Sequence, residues 1–107
     1  DDVMVSDFLG EPPFRTDPDD PRVQTALQLA RTTYGDDDVQ VELNSPGSGP
    51  MKYFYDINHA PIISCGIGNA HSAAHGPNEN VVIADYLSFI DYLTQLVPQL
   101  AKTKTAN

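Results

Sequence analysis

Apolar residues recur with a helical period between residues 21 and 35. Four of them fall on one face of a helix, at steps of four, three and four residues: Val23, Leu27, Ala30 and Tyr34. The dipeptide Asp20-Pro21 is a typical helix start, because aspartate accepts hydrogen bonds from the free amides of the first turn and proline fits the first helical position. Gly35 is a typical helix stop. The pattern therefore predicts a helix over residues 21–34.

A longer helical pattern covers residues 85–100. Its expected packing face is Leu87, Ile90, Leu93, Val97 and Leu100, widened by Phe89 and Leu96. Asn80 or Asp85 is expected to cap its first turn. Pro98 is expected to end or bend the helix, because its ring clashes with the carbonyl of the preceding turn. Residues 51–57 are predicted to form a short helix.

Three further stretches have the features of strands. Residues 39–43 alternate between apolar and polar positions, with Val39, Val41 and Leu43 on the expected buried face. Residues 61–65 form a short apolar run bounded by proline and glycine, and residues 2–8 also alternate. The segment between the first two is long enough for a crossover. We therefore expect an α/β fold, with a parallel strand-helix-strand unit flanked by helices.

Composition and charge exclude several classes of partner. The chain has 107 residues, with six basic and fifteen acidic side chains and a net charge of −9, so nucleic acid and anionic membranes should be repelled. The single cysteine, Cys65, rules out an internal disulfide, and we expect it to be buried. A reducing compartment and the lack of a signal peptide predict a cytoplasmic protein. The chain begins with Asp1 rather than methionine, so we expect a piece of a longer polypeptide.

Residues 66–83, between the apolar run and the long helix, carry the candidate chemistry. The segment Gly-Ile-Gly-Asn-Ala-His lacks the third glycine of a dinucleotide-binding loop, so we exclude that function. His71 and His75 are four residues apart, a spacing that suits a metal site on a helix. However, the following Gly-Pro indicates a loop. From the residues alone, a metal ligand and an ordinary polar surface histidine both remain open.

A second loop, at residues 44–50, is rich in small residues. A loop of this kind at a strand end presents backbone amides and the Ser48 hydroxyl to an anion at a helix N-terminus. An ordinary turn is the alternative. Residues 11–20 contain three prolines and four acidic residues, which predicts an extended linker.

Three segments of the chain together resemble one family of enzymes. They are Arg-Thr-Asp-Pro-Asp-Asp-Pro at residues 15–21, Ser-Pro-Gly-Ser-Gly-Pro-Met at residues 45–51, and Ala-His-Gly-Pro-Asn-Glu at residues 74–79. In order and spacing they are similar to the C-terminal part of the catalytic domain of the di-zinc peptidases and deacylases. That family includes acetylornithine deacetylase, succinyl-diaminopimelate desuccinylase, aminoacylase and carnosinase-like dipeptidases, and the dipeptidase branch looks nearest.

The resemblance implies a fragment of a zinc-exopeptidase-like α/β/α catalytic domain. Residues 1–10 would end a strand of the preceding lid domain, residues 11–20 would be the linker, residues 21–101 the C-terminal part of the catalytic domain, and residues 102–107 a disordered tail. The full-length parent would hold two zinc ions. The remaining metal ligands and the general base of the family have no counterpart in this chain, so no catalytic residue is expected here.

The resemblance also implies roles for individual residues. His75 matches the last metal ligand of the family, and Gly47 and Ser48 match the loop that holds the terminal carboxylate of the substrate. Asn78 and Glu79 belong to the same motif as His75, and we expect them to support the ligand or cap the last helix. Family members usually have two glycines before the serine, whereas this chain has Pro46 in place of the first.

The expected function is therefore that of a C-terminal fragment of a zinc-dependent amidohydrolase. The parent would be a dipeptidase or an N-acyl amino acid deacylase, and this chain alone would be inactive and hold no zinc. Expected partners are a small peptide or N-acyl amino acid, the remainder of the catalytic domain, and further copies of the protein. The alternative is a stand-alone α/β module that binds or assembles without catalysis.

Overall fold

A computed structural model of the protein describes residues 3–7, 10–45, 47 and 49–104. These residues form three α-helices: α1 is Pro21–Tyr34, α2 is Met51–Asn58 and α3 is Ile83–Lys102. A turn of 3-10 helix, Asp36–Asp38, follows α1. The three helices lie where the sequence predicts them, with α3 slightly longer than expected. None of the described helices combines the length and the apolar character that crossing a membrane requires.

The ends of α1 follow from its sequence. The Asp20 carboxylate accepts a hydrogen bond from the Arg22 amide at 2.8 Å, and Pro21 occupies the first helical position. The Arg22 side chain also donates to this carboxylate, and that hydrogen bond lowers the pKa of Asp20 below its usual value. At the other end, Gly35 has a φ of 93° and donates its amide to the Arg31 carbonyl at 2.9 Å. The predicted start and stop are both confirmed.

The start of α3 differs from the expectation. Val82 occupies the cap position, and no side chain caps the helix. The predicted caps are therefore wrong, because the Asn80 amide donates to two carbonyls of the preceding loop and Asp85 lies inside the first turn. At the far end, α3 continues through Pro98 to Lys102, so Pro98 does not end it.

The core is the contact between α1 and α3. It consists of four buried residues: Ala26 and Leu29 of α1, and Tyr92 and Leu96 of α3. The Tyr92 hydroxyl crosses this contact and donates to the Ala26 carbonyl at 3.0 Å. Partly buried side chains surround the four: Ala30, Tyr34, Ile63, Phe89 and Leu100. Burial of apolar surface between two helices therefore supplies most of the hydrophobic stabilisation.

The packing face predicted for α3 is largely wrong. Most of its residues are exposed and continue a stripe that begins at the start of the helix: Ile83, Leu87, Ile90, Leu93 and Val97. Tyr92, which is outside the predicted face, and Leu96, which widens it, are the buried residues of α3. Phe89 and Leu100 of the predicted face are partly buried against them. The apolar surface of α3 is wider than one neighbouring helix can cover, so one part is buried and the other remains on the surface. We call the five exposed residues the α3 stripe.

The predicted α/β fold is also wrong, because no strand occurs in the part of the chain that the structure describes. Residues 39–43 and 61–65 have no strand partner, and Val41 and Leu43 are 53% and 52% exposed. A strand needs the backbone of a second segment to pair with, and these segments do not pair. At Ile62, a side chain replaces such a partner: the Thr16 hydroxyl donates to the Ile62 carbonyl at 2.7 Å and accepts from its amide at 2.9 Å. Residues 3–7 are likewise exposed and unpaired.

The linker packs against α2 through aromatic side chains. The Phe14 ring lies 4.8 Å from Tyr55 between centroids, and Tyr55 meets His59 edge to face at 5.1 Å. Together with the Thr16 contact, these rings hold residues 14–16 between α2 and residues 61–65. The radius of gyration is 17.1 Å, whereas a compact domain of this length has about 13 Å. The chain is thus more extended than a compact domain, in keeping with its small core.

Candidate functional site

Residues 69–80 form a closed loop that carries both histidines predicted as candidates, and we call it the histidine loop. The Asn80 amide donates to the Ser72 carbonyl at 2.9 Å and closes the loop directly before α3. Inside it, the Gly76 amide donates to the Ala73 carbonyl at 2.7 Å, which makes a tight turn around His75. The predicted loop conformation of this segment is therefore confirmed, so the spacing of the two histidines does not place them on one helical face.

Side chains hold the two ends of the histidine loop. The Ser72 hydroxyl accepts from the Asn69 amide at 2.9 Å, and the Asn69 side chain accepts from the His71 amide at 2.8 Å. The Asn80 side chain donates to the carbonyls of His71 and Asn78, at 3.1 Å and 3.0 Å. Ser72 is 6% exposed and is the buried polar residue of the loop. Hydrogen bonds rather than apolar packing thus determine its shape.

Three residues of the histidine loop have a left-handed backbone without being glycine. The φ angles are 52° for Ala73, 60° for His75 and 60° for Asn78. This conformation is unfavourable for residues with a Cβ, and clusters of it often mark functional sites. The same turn favours glycine at position 76, since a Cβ there would lie 3.0 Å from the Ala73 carbonyl oxygen, a tight contact. The turn therefore holds His75 at an exposed tip.

The remaining residues of the predicted site are distributed over two places. His71, Asn78 and Glu79 are exposed in the histidine loop with His75. Gly47 belongs to the other loop, and Ser48 lies outside the described residues. The Gly47 amide donates to the Ser45 hydroxyl at 3.1 Å, so this amide serves the loop itself.

A large groove connects the Gly47 loop with the base of the histidine loop. Its volume is about 1180 Å³. Its walls are residues 11–16 and 18 of the linker, α1, the described parts of residues 38–49 and 62–70, and the side chains of Met51, Phe89 and Tyr92. Gly47 lines one wall, and Asn69 and Ala70 line another. His75, which is a described residue, does not line this groove. The structure thus brings Gly47 and the start of the histidine loop to one groove, and leaves His75 outside it.

Tyr34, Tyr92 and Cys65 also line this groove with two buried hydroxyls and an exposed thiol. The sequence alone did not indicate the two hydroxyls. Burial raises the pKa of Tyr92 to about 12, and also raises the pKa of Tyr34. The Tyr34 hydroxyl is buried and lacks a hydrogen-bond partner among the described residues. Cys65, which we expected to be buried, is exposed. The protein atoms around it still raise the pKa of its thiol by desolvation, which disfavours the reactive thiolate.

A smaller pocket of about 220 Å³ lies between the linker and α2. It is lined by Arg15, Thr16, Asp17, Asp20, Tyr55, His59 and Pro61. Several of these residues belong to the segment at residues 15–21, which resembles the enzyme family. That segment does not by itself predict a pocket. Both signs of charge line it, and the Asp20 carboxylate is already bonded to Arg22.

Comparison with known proteins identifies the family of the chain. A model of the peptidase family M20/M25/M40 matches residues 2–99, which is nearly the whole chain. The chain belongs to this peptidase family. Members of the M20 family are metallopeptidases, hydrolases that generally depend on metal ions. Comparison with curated proteins gave no match, and comparison with solved structures gave none either.

Metal dependence in the M20 family raises the question of which residues here fit a metal ion. Among the described residues, no group of three histidine, cysteine, aspartate or glutamate side chains is arranged to hold one. A catalytic zinc site takes three protein ligands and a water molecule. His75, exposed at the tip of the loop, fits as one ligand of such a site. The described part of this chain does not complete the site.

Proposed function

We propose that this chain is the C-terminal part of the catalytic domain of a zinc-dependent amidohydrolase, and that it is inactive alone. The observation that carries the proposal is the position of His75: an exposed imidazole at the tip of a hydrogen-bonded loop, in a chain of the M20 peptidase family. Such a loop presents a nitrogen ligand outward, toward protein that lies beyond this chain. The complete enzyme would be a dipeptidase or an N-acyl amino acid deacylase with two zinc ions.

His75 has the central role in this proposal. Its neutral imidazole supplies one nitrogen ligand, and the other ligands and the general base come from the remainder of the catalytic domain. Bound zinc polarises a carbonyl group and lowers the pKa of a water molecule. Asn78 and Glu79, which follow in the same loop, would support the ligand from outside the metal site. The resemblance of residues 74–79 to the di-zinc peptidases supports these roles.

The Gly47 loop would bind the substrate, a small peptide or an N-acyl amino acid. In this proposal Gly47 and Ser48 hold its terminal carboxylate. The groove supports the assignment, because it joins Gly47 to the base of the histidine loop at Asn69. Because the Gly47 amide donates to the Ser45 hydroxyl, Gly47 would serve by shaping the loop, and the Ser48 hydroxyl would donate to the carboxylate.

The exposed apolar surface supports a role in assembly. The α3 stripe and residues 3–5 expose large apolar side chains, and a patch of this kind often marks a protein interface. We propose two partners for this surface, the remainder of the catalytic domain and a further copy of the protein. Residues 11–20 would be the linker from a lid domain. The proposed location of the protein is the cytoplasm. An assembly module without catalytic activity is the second candidate, and the same surface favours it.

The test is a comparison of His75→Ala with His71→Ala in the full-length enzyme. His75→Ala removes a metal ligand, so we expect less than the full complement of zinc and a hydrolysis rate lower by orders of magnitude. His71→Ala is the matched control from the same loop and should keep both. Zinc stoichiometry, hydrolysis rate and melting temperature are measured for the two variants. The proposal fails if His75→Ala retains the wild-type zinc content and rate.

A further inference from the structure

We propose that Asn80 is a positioning residue that fixes the place of the His75 imidazole, an inference that rests on the proposed role of His75 as a metal ligand. Asn80 makes three hydrogen bonds with the histidine loop. Its backbone amide donates to the Ser72 carbonyl, and its side-chain amide donates to the carbonyls of His71 and Asn78. These acceptors lie on both sides of His75 in the sequence, so one residue joins the two arms of the loop.

The loop depends on these bonds because little else holds it. His71, His75 and Asn78 are exposed, and Ser72 is the one buried side chain in the described loop. The left-handed conformation of His75 and Asn78 is unfavourable by itself, since residues with a Cβ prefer other backbone conformations. Without the Asn80 bonds, we expect the loop to sample those alternatives and the imidazole to move with it.

The position of Asn80 in the chain also suits this role. It lies three residues before Ile83, where α3 begins, and α3 packs in the core through Tyr92 and Leu96. Asn80 therefore joins the loop to a rigid helix. The chemistry is specific as well, because a carboxamide offers two N–H donors to two carbonyls. A carboxylate of the same shape offers none and faces both carbonyls with a negative charge.

The experiment uses Asn80→Asp and the milder Asn80→Ser, which retains one donor, in the complete zinc-loaded enzyme. Thr94→Ala is the matched control, because it also removes one side-chain hydrogen bond to a backbone carbonyl, on the exposed side of α3. Hydrogen exchange of the Ser72 and Gly76 amides reports the opening of the loop. The zinc dissociation constant is measured on the same samples, with His75→Ala in parallel.

We expect Asn80→Asp to speed exchange at both amides and to weaken zinc binding roughly 10- to 100-fold, as loss of a residue that orients a metal ligand does. Asn80→Ser should show smaller effects of the same sign, and Thr94→Ala none. A role confined to the structure of the loop would speed exchange and leave the zinc dissociation constant unchanged.

The outcomes separate this inference from the proposed function. If His75→Ala weakens zinc binding while Asn80→Asp changes neither exchange nor zinc affinity, His75 remains a ligand and the role of Asn80 is refuted. Faster exchange in Asn80→Asp with unchanged zinc affinity also refutes it, since the loop would then open without moving a ligand. If His75→Ala leaves zinc binding intact, the proposed function fails, and with it the positioning role.

Discussion

Replacing Tyr92 with phenylalanine removes one hydroxyl from the contact between α1 and α3 and keeps the ring. The hydroxyl donates to the Ala26 carbonyl at 3.0 Å, and Tyr92 is only 3% exposed. A buried hydrogen bond of this kind contributes about 1 kcal/mol to the free energy of unfolding. The Ala26 carbonyl keeps its acceptor role within α1, so no buried group is left without a partner. At pH 7 we therefore expect Tyr92→Phe to be less stable by about 1 kcal/mol.

The same substitution should change how stability depends on alkaline pH. Burial raises the pKa of Tyr92 from 10.0 to about 12, so the folded protein holds this proton when the unfolded chain has lost it. Because the folded state binds more protons between pH 10 and pH 12, stability falls as the pH rises through this range. A shift of this size corresponds to at most about 3 kcal/mol. Phenylalanine does not titrate, so the stability difference between the two proteins should shrink above pH 10 and change sign at about pH 11.

Urea denaturation followed by circular dichroism measures both effects, at pH 7 and at steps between pH 9 and pH 12. Tyr34→Phe is the matched control at pH 7, because the Tyr34 hydroxyl lacks a hydrogen-bond partner among the described residues and its removal should cost nothing. Equal stability of wild type and Tyr92→Phe at pH 7 would refute the contribution of the hydrogen bond. Parallel losses of stability above pH 10 would refute the titration of Tyr92.

Two further predictions concern α3. Leu96 is 5% exposed whereas Leu93 is 37% exposed, so Leu96→Ala should cost about 2–5 kcal/mol in urea denaturation and Leu93→Ala clearly less. The reverse order would contradict the burial of Leu96 in the contact between α1 and α3. The isolated chain should self-associate through the α3 stripe, and light scattering should detect species larger than a monomer. A monomer at high concentration, or association unchanged by Leu87→Lys, would contradict this prediction.

The family could be predicted from motifs, whereas the geometry of the candidate site could not. Segments at residues 15–21, 45–51 and 74–79 together indicate the family, which the match over residues 2–99 confirms, and the metal-ligand role of His75 stays a prediction. By contrast, Asn80 was expected to cap α3 and instead bonds the histidine loop. Both roles use the same side chain at the same place in the sequence. Which one occurs depends on the path of the loop, and that path is set by contacts between Asn80, Ser72 and His71 that no local pattern reveals.

The helices show what the sequence by itself determines. Each turn of α1 bonds to residues four positions away, and its ends depend on Asp20, Pro21 and Gly35, so neighbouring residues contain the necessary information. The prediction of strands was wrong for the opposite reason. Residues 39–43 and 61–65 have the composition of strands, but a strand forms only when a distant backbone pairs with it, and at Ile62 the Thr16 hydroxyl takes that place.

The buried face of α3 was likewise decided by tertiary structure alone. Apolar residues cover much of this helix, and their period shows that one side packs without showing which. The contact with α1 selects Tyr92 and Leu96, because the Tyr92 ring fits beside Tyr34 and its hydroxyl reaches the Ala26 carbonyl. Helices and their ends can thus be predicted from the sequence, because their hydrogen bonds are local. The buried face of a helix and the pairing of a strand depend instead on which distant segment packs against them.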